Sequence, residues 1–283
     1  MALTVDRSHG YLEGVGRLRL HYQAWETPGP RAALVVVHGL AEHSGRYERF
    51  GTDLAAYGYS TYVMDLRGHG LSDGRRGHVR RFDHFLQDLD RFRREIEGLV
   101  PIGTPMFLVG HSLGGLIALR YLEEYSATGL SGAVLSAPWL STALPIPHWK
   151  VGLAQVLSSI APALPFSAQI PPEYLSHDPE VVAAYRADAL VHGRITPRLF
   201  AEISRAMGLV LQRVERISTP LLFMLPGADR LTATDRTRSL ARSIQHVDVT
   251  VKLFPDGYHE LFNELDRSLV LTELRSWLAQ RIR

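Results

Sequence analysis

Ser112 stands in Gly110-His111-Ser112-Leu113-Gly114, a G-x-S-x-G of the chain, a pattern that can present a serine hydroxyl for nucleophilic attack. At this Gly and Ser content roughly one chain in seven carries such a match by accident, so the flanking pattern decides. An apolar run at 106–109 precedes it and a helical pattern at 113–125 follows, the strand, turn and helix that a nucleophile elbow requires. Glycine at 110 and 114 relieves the crowding of so tight a turn. The plainer alternative is a serine helix cap at a Gly-rich turn.

A serine hydroxyl is a weak nucleophile at neutral pH and needs a base held in place by a third group. Behind an elbow the chain order is Ser, acid, His. Asp229, in Pro226-Gly227-Ala228-Asp229, follows the apolar run 221–225, and His259, in Asp256-Gly257-Tyr258-His259, follows the run 249–254. The rival acids are Asp235, deeper in the next element, and Asp256, which reads as a turn residue. Among the 13 histidines, His38 reads as a brace for the loop after the first central strand. His111 reads as a packed, hydrogen-bonded residue pointing away from Ser112, and His69 and His78 as loop structure. Acyl transfer also needs two backbone N–H donors for the oxyanion. Leu113, after the nucleophile, and Leu40, in His38-Gly39-Leu40, are the positions expected to supply them.

The elements that must position these residues alternate between short β-rich runs and helical patterns, the signature of a mostly parallel sheet covered on both faces. An opening hairpin is expected over 11–25. Strands are expected at 34–38, 60–65, 106–110, 132–136, 221–225 and 249–254. Helices are expected at 46–57, 113–125 and 265–282, with another whose stripe is Phe82, Phe85, Leu89, Phe92, Ile96 and Leu99. About eighty residues separate the strands on either side of 138–216, so that segment reads as an insertion. Between Glu124 and Glu173 the only charged residue is Lys150, and the run 151–172 is apolar. Pro162, Pro165, Pro171 and Pro172 argue against a continuous membrane-spanning helix there. The expected organisation is a core of 1–137 and 217–283 with an apolar cap at 138–216, the plain alternative being an extra packing layer.

With 46% hydrophobic and 21% charged residues, the chain reads as an ordinary globular protein. A net charge of +2 leaves no footprint for nucleic acid. The arginines at 75, 76, 80, 81, 91, 93 and 94 are interspersed with acidic residues and read as a solvated loop and helix face. No cysteine is present, which excludes disulfides, thiolate metal sites and a Cys nucleophile. No H-E-x-x-H occurs, nor the Gly-rich patterns that cradle phosphates, so no metal and no cofactor is implied. The first ten residues lack the apolar core of a secretory signal, and a cytoplasmic location is expected.

The chain resembles the monoacylglycerol lipases and lysophospholipase-like serine hydrolases of the α/β-hydrolase superfamily over nearly its whole length. The carrying motifs are His38-Gly39-Leu40-Ala41-Glu42-His43-Ser44-Gly45-Arg46-Tyr47, Asp65-Leu66-Arg67-Gly68-His69-Gly70-Leu71-Ser72, the elbow with Gly115, Gly227-Ala228-Asp229 and Tyr258-His259. The resemblance implies an α/β-hydrolase fold with an inserted cap. It implies Ser112, Asp229 and His259 as the triad, and Leu40 and Leu113 as the oxyanion donors. By resemblance, Glu42 and Arg46 match polar positions near the glycerol end of the pocket, and Tyr185 a tyrosine facing it. The cap cysteines of some members are absent, with Val191 at one such position. The expected activity is hydrolysis of monoacylglycerol through an acyl-enzyme, with transient contact between the cap and a lipid surface. A broad carboxylesterase or lysophospholipase, a catalytically silent ligand-binding protein and an aminopeptidase are the rival readings. The scarcity of acidic residues over 145–190 speaks against the last.

Overall fold

The computed structural model describes residues 5–125, 129–143, 147–168 and 170–282, without the side chains of His148 and Lys150. Its strands are β1 (Asp6–Glu13), β2 (Arg19–Glu26), β3 (Ala32–Val37), β4 (Tyr59–Met64), β5 (Met106–His111), β6 (Gly132–Ser136), β7 (Phe166–Ser167), β8 (Arg194–Ile195), β9 (Leu221–Pro226) and β10 (Val249–Phe254). Its α-helices are α1 (Glu48–Ala55), α2 (Asp83–Leu99), α3 (Leu113–Glu124), α4 (His148–Ile160), α5 (Pro179–Ala187), α6 (Pro197–Arg213), α7 (Thr234–Ser243) and α8 (Arg267–Ala279).

Eight strands form one sheet in the order β1-β2-β4-β3-β5-β6-β9-β10. β1 and β2 form an antiparallel hairpin, β2 pairs antiparallel with β4, and the remaining pairs are parallel. A strand buried on both faces must be apolar at every position, and β3 meets that demand with Ala32, Ala33, Leu34, Val35, Val36 and Val37 all fully buried. Its side chains alternate across the sheet. Ala33, Val35 and Val37 join the core under α2, α3 and α6, and Ala32, Leu34 and Val36 the core under α1 and α8.

The expected elements are present with shifted ends. The hairpin begins earlier, at Asp6, and the last helix is shorter, at Arg267–Ala279. On α2 the stripe is Phe85, Leu86, Leu89, Phe92 and Ile96. Leu99, expected on that stripe, is exposed at the last residue of the helix. Arg93, expected on a solvated face, is instead buried, where Tyr121 Oη accepts from its Nε at 3.1 Å and Glu97 from its Nη1 at 2.9 Å.

The segment between β6 and β9 carries α4, β7, α5, β8 and α6. Its prolines act as expected: α4 stops at Ile160, before Pro162, and among the described residues no helix is long and apolar enough to cross a membrane. The later part of the segment is pinned down. His43 Nε2 meets Asp188 Oδ2 at 2.8 Å, Arg49 donates to Asp178 at 3.0 Å, and His192 N–H donates to the Ala41 carbonyl at 3.1 Å. Leu199, Ile203, Ala206 and Val210 of α6 share the buried cluster of the sheet.

Candidate active site

β5 delivers the chain into the sharp turn at Ser112, whose backbone has φ 52° and ψ −115°, a conformation that costs a non-glycine residue on the order of 1–3 kcal/mol. The turn closes on neighbouring backbone. A Cβ at Gly114 would stand 2.0 Å from the Val37 carbonyl oxygen, and one at Gly110 would stand 2.5 Å from the Gly114 oxygen. Only glycine fits at either position. The bend leaves Ser112 at the first turn of α3, lining a cavity of about 560 Å³.

His259 reaches the same cavity from the loop after β10. Its Nδ1 lies 2.8 Å from Asp229 Oδ2. The Asp229 side chain is fully buried and saturated: Oδ1 accepts from the N–H groups of Leu231 and Thr232 at 2.7 and 3.0 Å, and Oδ2 from the Thr232 hydroxyl at 2.7 Å. Burial pushes this carboxyl up, but the His259 charge and the donated hydrogen bonds outweigh it and hold Asp229 down to about 2. At His259 burial pulls the imidazole down, and Asp229 with Glu260 and Glu42 more than offsets that, leaving it raised. An acceptor on Nδ1 presents Nε2 as the basic nitrogen. Ser112 makes no direct hydrogen bond to His259 here, a looseness common in such sites before substrate arrives.

The loop after β3 faces Ser112 from the other side. Among the described residues neither Leu40 N–H nor Leu113 N–H has an acceptor, so the two expected oxyanion donors are both unengaged. His38 fixes this loop. Its Nε2 accepts from Leu66 N–H at 2.9 Å and its Nδ1 meets the Gly39 carbonyl at 2.7 Å, while burial lowers its pKa to about 4 and keeps it neutral. Asp65 ties the second motif to the same region, accepting from Ser44 N–H at 2.6 Å and Leu71 N–H at 2.8 Å and meeting His21 Nδ1 at 2.9 Å.

His111 departs from expectation. It lines the cavity and packs its ring on His259 with centroids 4.8 Å apart, and its buried Nδ1 has no hydrogen-bond partner among the described residues. Burial, with the neighbouring His259, lowers it to about 3.

Glu42, Arg46 and Tyr185 all line the cavity, and Arg46 lies over the Tyr185 ring at 4.7 Å. Glu260 was not anticipated. Arg46 donates from Nη1 and Nη2 to its two oxygens at 2.5 and 2.8 Å, and from Nη1 to Glu42 at 3.2 Å. Thr232 was missed as well, although an Asp followed three residues later by Thr is a recognisable local hydrogen-bonding pattern. Most of the rest of the wall is apolar: Leu153, Ala154 and Leu157 of α4, with Trp139, Phe166, Ile170, Phe200 and Leu231. No cluster of three or more metal-ligating His, Asp or Glu side chains occurs among the described residues.

Residues 28–266 match the hydrolase family described as serine aminopeptidase S33. A monoacylglycerol lipase from Mycolicibacterium smegmatis is 37% identical, covering 98% of each chain. The chain belongs to the monoacylglycerol lipase family of α/β-hydrolases. The crystal structure of a family member, the Paleococcus ferrophilus monoacylglycerol lipase, has a TM-score of 0.81 at 32% identity, covering 99% of this chain and all of that one. A soluble variant of the Saccharomyces cerevisiae monoglyceride lipase superposes with a TM-score of 0.87 over 100% and 98% of the two chains. At 21% identity that second likeness speaks for the fold. Membership makes the protein a serine ester hydrolase.

Proposed function

We propose that the protein hydrolyses the ester of monoacylglycerols to fatty acid and glycerol through an acyl-enzyme on Ser112. The observation that carries this reading is the shared cavity: Ser112 and the Asp229–His259 pair open into a largely apolar chamber with one polar end. His259 takes the proton of Ser112 during attack and returns it to the leaving glycerol oxygen. Asp229 holds the tautomer, and water deacylates the enzyme through the same base. Leu40 and Leu113 N–H groups receive the oxyanion, each such donor contributing about 2.7–4 kcal/mol to the transition state. Glu42, Arg46 and Tyr185 meet the alcohol end of the substrate.

In this reading 138–216 acts as a cap on a core of 1–137 and 217–283. Trp149, Leu153, Val156 and Ile160 are exposed at helical spacing on α4, which supports reversible docking of this face on lipid. The location we assign is cytoplasmic and peripheral at such surfaces. An aminopeptidase needs a carboxylate to hold the substrate ammonium, and the two carboxylates lining the cavity, Glu42 and Glu260, are both bound to Arg46.

Fatty-acid release from decanoylglycerol, measured beside Ser112→Ala, tridecanoylglycerol and an amino-acid anilide, tests the reading. Hydrolysis of the monoester alone, lost in the variant, is the expected result. Comparable rates on the triester, or release of the anilide, would overturn it.

A further inference from the structure

The polar end of the cavity holds three buried charges. The Glu42, Arg46 and Glu260 side chains are each less than a tenth exposed, and all three line the chamber. Glu260 grips the guanidinium with both oxygens, and its Oε2 also accepts from Asn263 at 2.9 Å. Glu42 adds a second carboxylate to Arg46 while accepting from Gly39 N–H at 2.5 Å and from the Tyr47 hydroxyl at 3.2 Å. Two carboxylates therefore surround one cation, and the end of the chamber carries no net positive charge.

This cluster stands close to the reacting serine. A single carbon placed at Gly39 would touch Glu42 Oε1 at 2.9 Å and Ser112 Cβ at 3.2 Å, so the carboxylate oxygen lies within about 6 Å of the Ser112 Cβ. An ester whose carbonyl sits at Ser112, with its acyl chain along the apolar wall, has its alcohol portion beside these charges. A polyol there finds carboxylate oxygens to accept its hydroxyl protons. A phosphate finds the one guanidinium already taken and a like charge facing it, an arrangement that costs several kcal/mol.

We propose that Glu260, by occupying Arg46, makes this end of the cavity a head-group filter that admits uncharged hydroxyl-bearing alcohols and rejects phosphate-bearing ones. The proposal deepens the monoacylglycerol reading and rests on it for the position of the alcohol. Glu260 is thus a specificity-determining residue, acting mainly by what it denies to Arg46.

The test compares two non-hydrolysable ethers, decylglycerol and its phosphate monoester, as protectants of Ser112 against a fluorophosphonate label. This readout does not depend on turnover, so a failure of the monoacylglycerol assay stays separate from a failure of the filter. In the unmodified protein the phosphate ether should protect at least about 100-fold less well than the neutral ether, the size expected of a buried like-charge contact. In Glu260→Gln, which removes one of the two carboxylate charges from the guanidinium, the gap should shrink by at least about tenfold. Glu42→Gln, which leaves the Arg46–Glu260 pair intact, provides a second variant should the first not fold, and a smaller narrowing is expected. Equal protection by the two ethers in the unmodified protein overturns the proposal. So does a gap left unchanged by whichever variant folds.

Discussion

Gly114 lies so close to Val37 that a methyl group on its Cα would stand 2.0 Å from the Val37 carbonyl oxygen. The contact joins the first turn of α3 to the end of β3, the two pieces of backbone that carry Leu113 and Leu40. Neither partner is a flexible side chain that can swing away. Gly114→Ala should therefore destabilise the protein by about 3 kcal/mol or more, at the upper end of overpacking costs. Urea unfolding checks this, and a variant within about 1 kcal/mol of the parent would contradict the geometry of the turn.

In the proposed mechanism the Asp229–His259 bond, 2.8 Å long, sets both rate and pH dependence. His259 must be neutral to accept a proton, and its pKa is raised by Asp229, so kcat/KM should fall with decreasing pH along a limb lying above the ordinary imidazole value of about 6.5. Asp229→Asn removes the raising charge and the acceptor together. We expect a loss of about 10⁴ in kcat and an acid limb displaced to lower pH in the residual activity. A pH–rate profile with the limb unmoved would show that Asp229 does not tune this base.

Buried histidines make the fold acid-labile. Burial depresses His38 and His192 to about 4 and His111 to about 3, whereas in the unfolded chain each titrates near about 6.5. Between those limits the unfolded state binds protons that the folded state refuses, so stability is complete above about pH 6.5 and declines as the pH falls toward 4. Calorimetry should show Tm dropping through that window. In His192→Gln, whose ring packs on His69 at 4.7 Å, the drop should be shallower, and a flat Tm in the parent would contradict the burial argument.

On α4, Val156 and Ile160 are exposed but do not line the cavity. Each apolar side chain of this size contributes about 1.5–3 kcal/mol when taken fully out of water. The double replacement Val156→Ser and Ile160→Ser should weaken sedimentation with phosphatidylcholine vesicles by at least about tenfold. Hydrolysis of a short soluble ester should be unchanged. If the double variant binds vesicles like the parent, another face docks.

Much of the site is legible locally because it is built from turn chemistry. A strand, a Gly-flanked serine and a helix specify an elbow, since no other residues fit the backbone between Val37 and Gly114. Asp229 and His259 stand one loop beyond recognisable strands, and they come together because parallel strands place their C-terminal ends on one edge. The fully apolar β3 announces burial on both faces, and the prolines after Ile160 announce the end of α4.

Side-chain partners across long separations were decided only by the tertiary structure. Arg46 and Glu260 are 214 residues apart, and no spacing rule predicts that one guanidinium will be gripped by the residue beside the base. Arg93 shows the same limit. Its charge pattern reads as solvent-facing, yet α3 brings Tyr121 over it and encloses it. Periodicity and turn residues report on a few neighbouring positions, so they determine elements, their order and the backbone of the elbow. The charge at the end of the cavity, the surroundings of His111 and the anchoring of the segment between β6 and β9 depend on which distant surfaces meet, and packing of the whole chain settles that.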